Sequence, residues 1–179
     1  MAPKAKTSGK QKKAGGSKFS AKAAAAKYKV SKIHQSKTVS AGNLPGKFSR
    51  ADLEFHGVEH AGASYEGRVF INNPKANEKT AKTPANGYAG SFHIFGHGGC
   101  FGDIGHCEVN KPRRDYDPRL SHPLLPIKKT LVATEAIRRA LSKGSKLNVT
   151  VVPVVSAWNE KTPTDDVFKY DKIRVITYD

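Results

Sequence analysis

Five side chains that can bind a transition-metal ion lie within fifteen residues of one another. They are His93, His97, Cys100, His106 and Cys107. Thiolate sulfur combined with imidazole nitrogen suits Cu(I), and zinc is the next metal that such a ligand set accepts. The residue types in this segment therefore predict a metal site, with copper as the preferred ion.

The spacing of these residues leaves other interpretations open. On a continuous strand, His93 and His97 would be ~13 Å apart, which is too far for one ion. The glycines between and after them oppose a helix, although a glycine turn can fold Cys100 back toward His97. The cysteines Cys100 and Cys107 can instead form a disulfide or pack as ordinary side chains. Because no secretion signal is recognisable, reduced thiols are the expected state.

Other catalytic patterns are not supported by the sequence. His56 and His60 have the spacing of the two histidines of a zincin motif, but Gly57, not Glu, follows the first of them, and the segment has no helical pattern. We therefore interpret 56–60 as a loop. The sequence has no phosphate-binding loop and no Gly-x-Ser-x-Gly nucleophile elbow. We predict that the chain is not an enzyme.

The elements that must position the histidines and cysteines are mostly strands. Six short segments have the alternating or β-branched pattern of strands and are separated by turn residues: 53–58, 65–71, 87–95, 126–134, 147–155 and 172–178. One helix is predicted to begin with Thr134 as its N-cap. Its apolar stripe indicates packing against the rest of the protein and consists of Ala136, Ile137, Ala140 and Leu141. The pattern predicts an all-β fold with one short helix, either an antiparallel β-sandwich or a flattened jelly-roll-like barrel.

Charge divides the chain into two parts. The formal net charge is +16, and residues 1–50 carry twelve Lys, Arg50 and no acidic residue. Such a segment buries too little apolar surface to offset its ordering entropy, so we expect 1–50 to be a disordered Lys-rich arm. Residues 51–179 are predicted to form the sandwich domain, with 98–126 as an inserted loop that contains both cysteines.

The order of motifs after the arm is similar to that of a known domain. The motifs are Leu53-Glu-Phe55, Tyr65-Glu-Gly-Arg-Val-Phe-Ile-Asn-Asn73, Tyr88-Ala-Gly-Ser-Phe92 with His97 after it, and then the segments 128–141, 149–153 and 172–179. In this order they resemble the C-terminal β-sandwich domain of plant polyphenol oxidases and related tyrosinase-like type 3 copper proteins. The insert 98–126 departs from the plant domain, and the family's covering side chain corresponds to no position here.

The resemblance implies an accessory role without catalysis. In that family the domain covers the entrance of the copper site and keeps the attached oxidase latent or assists its maturation. The chain has no counterpart of the oxidase domain itself. We therefore expect a type 3 copper oxidase as the partner, with this domain acting on it in trans as lid, chaperone or copper donor.

A second function is compatible with the sequence. A Lys-rich arm attracts polyanions such as nucleic acid or an anionic surface, and residues 1–38 would be the binding segment of a structural or assembly module that self-associates through its sandwich. Lysine without arginine indicates non-specific attraction. No apolar run is long enough for a transmembrane helix and no signal peptide is recognisable, so the expected location is cytoplasmic.

Overall fold

Two antiparallel sheets form most of the structure. The computed structural model describes residues 28–36, 39–40, 44, 47–98, 107, 115–118, 120, 123–156 and 164–179. Within these residues the strands are β1 (Tyr28–Val30), β2 (His34–Gln35), β3 (Val39–Ser40), β4 (Arg50–Val58), β5 (Tyr65–Ile71), β6 (Tyr88–Ile94), β7 (Ile127–Val132), β8 (Lys146–Leu147), β9 (Val149–Ser156) and β10 (Lys172–Tyr178). One α-helix, α1, spans Thr134–Leu141. The predicted all-β class with one short helix is confirmed.

The strands pair in a sandwich arrangement. The larger sheet has the order β1-β9-β5-β6, with β2 beside β1 on the same edge of β9. The smaller sheet has the order β10-β4-β7, and β3 pairs with β8 in a separate two-stranded ladder. Every pair is antiparallel, and β5 pairs with β9 over its whole length, from Tyr65 opposite Val155 to Ile71 opposite Val149.

The main core lies between the sheets. Because successive side chains of a strand point to opposite faces, each strand contributes every second residue to it. Leu53 and Phe55 of β4 are fully buried there, as are Val69 of β5 and Val151 of β9. Gly67 of β5 lies under the ring of Phe92, and a Cβ at this position would come within 2.5 Å of that ring. The glycine therefore makes room for an aromatic residue on the neighbouring strand.

A second apolar cluster covers the opposite face of the larger sheet. It contains Phe70, Ala76, Val152 and Val154, with Ile33 and Tyr88 packed against them. The loop that follows β5 supplies Ala76 and so closes over this face. Strand β9 is consequently buried on both sides, which explains why its sequence is an almost continuous apolar run instead of an alternating one.

The larger sheet begins earlier in the chain than the sequence predicted. Strands β1 and β2 lie inside the segment 1–50 that we expected to be a disordered arm, and both pair with β9. The two ladders leave Val152 and Pro153 without an N-terminal strand opposite them. Proline has no N–H to donate, so an interruption of the ladder at this position is physically consistent. Residues 1–27 lie outside the described residues.

Helix α1 packs as the apolar stripe predicted: three of the four residues of the stripe, Ala136, Ile137 and Ala140, are buried. The fourth, Leu141, is partly buried and packs against the main core. The prediction that Thr134 is the N-cap was wrong: Ala133 precedes the helix and Thr134 is its first residue. The Thr134 hydroxyl instead accepts a hydrogen bond from the Ala51 N–H at 3.0 Å, which ties the helix to β4. Among the described residues, no helix has the length and hydrophobicity that a membrane span requires.

Candidate functional site

The structure describes three of the five sequence-predicted metal ligands: His93, His97 and Cys107. His93 is exposed on β6, where it pairs in register with Glu66 of β5. His97 follows the end of β6, and Cys107 is disulfide-bonded. Cys100 and His106 lie outside the described residues, so the five-residue metal set stays a prediction. Among the residues that are described, no group of three or more His, Cys, Asp or Glu side chains is placed to hold a metal ion.

In the structure, His97 lies next to His60. From the sequence, His60 had been interpreted as a loop residue without a role. The rings of His60 and His97 lie edge to face with centroids 5.1 Å apart. His60 Nε2 donates to the carbonyl oxygen of Leu125 at 2.9 Å, and His97 Nδ1 donates to the carbonyl oxygen of His60 at 3.2 Å. Both imidazoles are thus oriented by hydrogen bonds to the backbone.

The two segments that carry these histidines are bonded to one another. The backbone N–H of His97 donates to the His60 carbonyl at 3.1 Å, and that of Gly98 donates to the Gly62 carbonyl at 2.9 Å. Gly96 N–H donates to Ser64 Oγ at 2.9 Å. A Cβ on Gly96 would lie 2.1 Å from the Gly62 carbonyl oxygen, so only glycine permits the observed approach. The β4–β5 turn and the segment after β6 therefore form one rigid support.

The segment before β7 completes this support. Leu124 N–H donates to the Cys107 carbonyl at 3.1 Å, one residue before the carbonyl that accepts from His60. Cys107 is disulfide-bonded, and the sequence offers it one partner within the chain, Cys100. A disulfide sulfur is not the thiolate that Cu(I) or zinc prefers as a ligand. In this state Cys107 does not carry the thiolate on which the predicted copper site depends.

Exposed apolar side chains lie beside the two histidines. Phe95 is 85% exposed and Leu125 is 55% exposed. We refer to His60, Phe95, His97 and Leu125 together as the histidine rim. The rim combines two oriented imidazoles with two apolar side chains that water contacts. Uncovered apolar side chains bordered by polar groups are typical of recognition surfaces.

A carboxylate that the sequence did not single out lies on the outer face of the larger sheet. Glu66 of β5 accepts hydrogen bonds from Lys82, from Ser91 Oγ at 2.7 Å and from Arg68 Nε at 3.0 Å. Burial by itself would raise the pKa of Glu66, but these three hydrogen bonds outweigh burial and lower the pKa to about 2. The network joins β5, β6 and the covering loop, and its role is structural.

A second carboxylate fastens β2 to the segment before β10. His34 Nε2 donates to Asp166 Oδ1 at 2.7 Å, and Lys32 forms an ion pair with the same carboxylate at 3.2 Å. Burial raises the pKa of Asp166, but the bonds from His34 and Lys32 produce a net lowering. The His34 ring also meets the rings of Phe168 and Tyr170 edge to face. The partners are more than 130 residues apart, so no sequence pattern could reveal this contact.

By its fold, the chain is an antiparallel β-sandwich. No protein-family model matches its sequence, and no curated protein matches it. In structure it is similar to latent aurone synthase, a polyphenol oxidase, from a natural source, with a TM-score of 0.47 and 15% sequence identity. It is also similar to the recombinantly expressed latent aurone synthase co-crystallized with hexatungstotellurate(VI), with a TM-score of 0.48 and 15% identity. Each likeness covers 82% of this chain, which spans 24% of the other chain's length.

Proposed function

We propose that this protein is a non-catalytic accessory domain that binds a type 3 copper oxidase and covers the entrance of its copper site, with the histidine rim as its docking surface. The partner class is taken from the ordered motifs in the sequence that resemble the C-terminal domain of polyphenol oxidases. The roles of lid, chaperone and copper donor all require docking first. Docking is therefore the step that an experiment must test.

One observation carries the choice of docking surface. Six large hydrophobic side chains are exposed among the described residues, and four of them belong to the segment between β6 and β7: Phe95, Tyr116, Leu120 and Leu125. This segment includes the whole insert, 98–126, that distinguishes the chain from the plant domain. Aromatic and aliphatic side chains of this kind form the centre of protein interfaces, where a few anchors carry most of the binding energy.

Replacing the two apolar members of the rim by serine is expected to weaken docking. The variant Phe95→Ser/Leu125→Ser keeps the Leu125 carbonyl that accepts from His60, so the support of the rim is retained. Loss of two anchors costs on the order of 1–3 kcal/mol, which is about a five- to 150-fold loss of affinity. The measurement is inhibition of catechol oxidation by the isolated catalytic domain of a plant polyphenol oxidase, titrated with the purified chain.

The matched control is Val132→Ser/Tyr178→Ser, which changes two other exposed hydrophobic side chains at the ends of β7 and β10. It is expected to inhibit as the wild type does. If the wild type neither binds nor inhibits the catalytic domain, or if the control loses as much as the rim variant, the proposed docking function is wrong.

A second candidate function rests on charge at the N-terminal edge of the larger sheet. Residues 1–27 contain eight Lys and no acidic residue, and they lead directly into β1, which is paired with β9. A dense positive charge attached to a folded domain attracts polyanions such as nucleic acid. In this alternative the sandwich is a structural or assembly module and the arm holds the polyanion.

Deletion of residues 1–27 tests this alternative, because it removes the charge and leaves β1 in place. We expect the full chain to shift duplex DNA at low salt, with an affinity that falls steeply as salt rises, and the shortened chain to bind at least about tenfold more weakly. A full-length variant with the eight lysines changed to glutamine separates charge from length. Equal binding by all three proteins, or no shift even at low salt, would remove the alternative.

A further inference from the structure

We propose that a cavity beside helix α1 binds a small phosphate monoester that carries hydroxyl groups, with Arg139 and Lys143 holding the phosphate. The cavity has a volume of about 210 Å³ and lies between the C-terminal half of α1, the end of β5 and the turn before β6. It shares no residue with the histidine rim, so the inference does not depend on docking to an oxidase.

Two cations line the cavity from the helix side. Arg139 lies in the last turn of α1, and Lys143 lies two residues after the end of the helix. Among the described residues, no hydrogen bond or ion pair engages either side chain, whereas the neighbouring Arg138 is paired with Glu135 at 2.7 Å. The described lining of the cavity includes no carboxylate. Two positive charges without a counter-ion in a concave site attract an anion.

The end of the helix does not need these two side chains as caps. Ser142 Oγ donates to the Arg139 carbonyl oxygen at 2.9 Å. The N–H of Gly144 donates to the Leu141 carbonyl oxygen at 3.2 Å. Carbonyls of the last turn therefore already have hydrogen-bond partners. The guanidinium of Arg139 and the ammonium of Lys143 are left to face a ligand.

The opposite wall of the cavity supplies acceptors. Asn73 Nδ2 donates to the Asn86 carbonyl oxygen at 2.8 Å, and Asn86 Nδ2 donates to the Ala81 carbonyl oxygen at 3.0 Å. These bonds orient both amide groups, and within the described part of the chain nothing donates to either side-chain oxygen. An amide oxygen accepts hydrogen bonds and donates none, so this wall suits the hydroxyl groups of a ligand.

The wall is held in place without a ligand. Ile71 N–H donates to the Gly87 carbonyl oxygen at 2.8 Å, which joins the end of β5 to the turn before β6. The bond between Asn73 and Asn86 joins the same two segments one step further along the chain. Binding therefore needs little rearrangement of the backbone, and a preorganised site loses less affinity to ordering.

Charge and size together select the ligand. A phosphate monoester carries a charge of about −1.5 to −2 near pH 7, so it balances two cations better than a carboxylate does. A guanidinium binds phosphate oxygens through two parallel hydrogen bonds, and an ammonium adds a point charge. The volume of about 210 Å³ corresponds to roughly seven molecules of liquid water. This space suits a phosphate group with a few hydroxylated carbon atoms.

The test is a calorimetric titration of the full chain with glycerol phosphate at about 0.15 M salt, which screens exposed lysines elsewhere. The wild type is expected to bind one molecule. The variants Arg139→Gln and Lys143→Gln should each bind at least about tenfold more weakly, because each removes a charged hydrogen-bond donor. The matched controls are Lys172→Gln and Arg174→Gln, which change exposed cations of β10 and should bind as the wild type does.

Three further ligands test the chemical class. Glycerate replaces the phosphate by a carboxylate and should bind at least about tenfold more weakly, and glycerol should show no binding. Glycerate that binds as tightly as glycerol phosphate would overturn the assignment of a phosphate. A phosphoserine peptide that binds more tightly than glycerol phosphate would overturn the assignment of a small molecule.

A second measurement does not depend on the folding of a variant. Glycerol phosphate is added to the ¹⁵N-labelled wild type, and the amide signals are followed by nuclear magnetic resonance. The signals of Asn73, Asn86 and Arg139 should shift first. The proposal is overturned if no saturable binding is measured, if residues 1–27 shift first, or if the β10 variants lose as much affinity as Arg139→Gln. Docking to the oxidase is assayed without a phosphate ester, so its outcome is separate from all of these.

Discussion

Replacement of Phe168 by alanine is expected to lower the free energy of unfolding by about 3–5 kcal/mol. The side chain is fully buried, and it belongs to the irregular segment between β9 and β10. Its ring meets the rings of five residues from both sheets and their connections: His34, Phe55, Tyr65, Phe92 and Tyr170. A cavity at this position removes contacts with every one of them, and the strands around it cannot collapse to fill it.

The measurement for Phe168→Ala is urea unfolding of the full chain at neutral pH, followed by circular dichroism. Phe95→Ala is the matched control, since it removes the same atoms from a side chain that is 85% exposed, and it should change stability by no more than about 0.5 kcal/mol. A loss below about 1 kcal/mol for Phe168→Ala would contradict the packing described between the sheets.

Replacement of Glu66 by glutamine is expected to cost about 2–3 kcal/mol at neutral pH, because three donors lose a charged acceptor in a largely buried position. The cost should depend on pH. The pKa of Glu66 is about 2 in the folded protein, whereas the ordinary value for a glutamate, expected in the unfolded chain, is 4.5. The unfolded chain therefore binds the proton more readily. The stabilisation is therefore fully present above pH 4.5 and is lost as the pH falls toward 2.

Comparison of unfolding midpoints for wild type and Glu66→Gln between pH 7 and pH 3 measures this dependence. The difference between the two proteins should shrink as the pH falls below 4.5, because the unfolded wild type then takes up a proton on Glu66 that the folded protein, with a pKa of about 2, does not bind. Glu135→Gln is the control: its carboxylate is 70% exposed in an ion pair with Arg138, and little effect is expected at either pH. A Glu66→Gln cost that is constant with pH would mean that the charge contributes nothing.

The local sequence pattern was sufficient to predict those strands whose own residues have the alternation and composition typical of strands. Strands β5 and β10 were predicted at their observed bounds, since both alternate and are enriched in β-branched or aromatic residues. Strands β1 and β2 were not predicted because they are only three and two residues long, too short to show an alternating pattern. Their strand conformation depends on hydrogen bonds to β9, which lies more than 100 residues later in the chain.

The histidine rim was predictable only in part for the same reason. His97 was recognised from residue type and local density of possible ligands, but its neighbour His60 comes from the turn between β4 and β5. The spacing between His56 and His60 did not help to place His60. His56 is on the face of β4 and donates to Glu54 Oε2 at 2.8 Å. Two loops at one end of a sandwich become neighbours through strand pairing, which no single-sequence pattern encodes.

Strand β9 is hydrogen-bonded to other strands along both of its edges, and this has a consequence for proteolysis and solubility. This strand has the most apolar sequence in the chain, and the short strands β1 and β2 cover one of its edges. A cleavage after residue 36 would strip that cover and leave valine-rich backbone with unsatisfied N–H and C=O groups. Such an edge recruits strands from other molecules and leads to aggregation. The lysine-rich N-terminal region thus ends in a protective cap, and trimming of the region is tolerated only up to the start of β1.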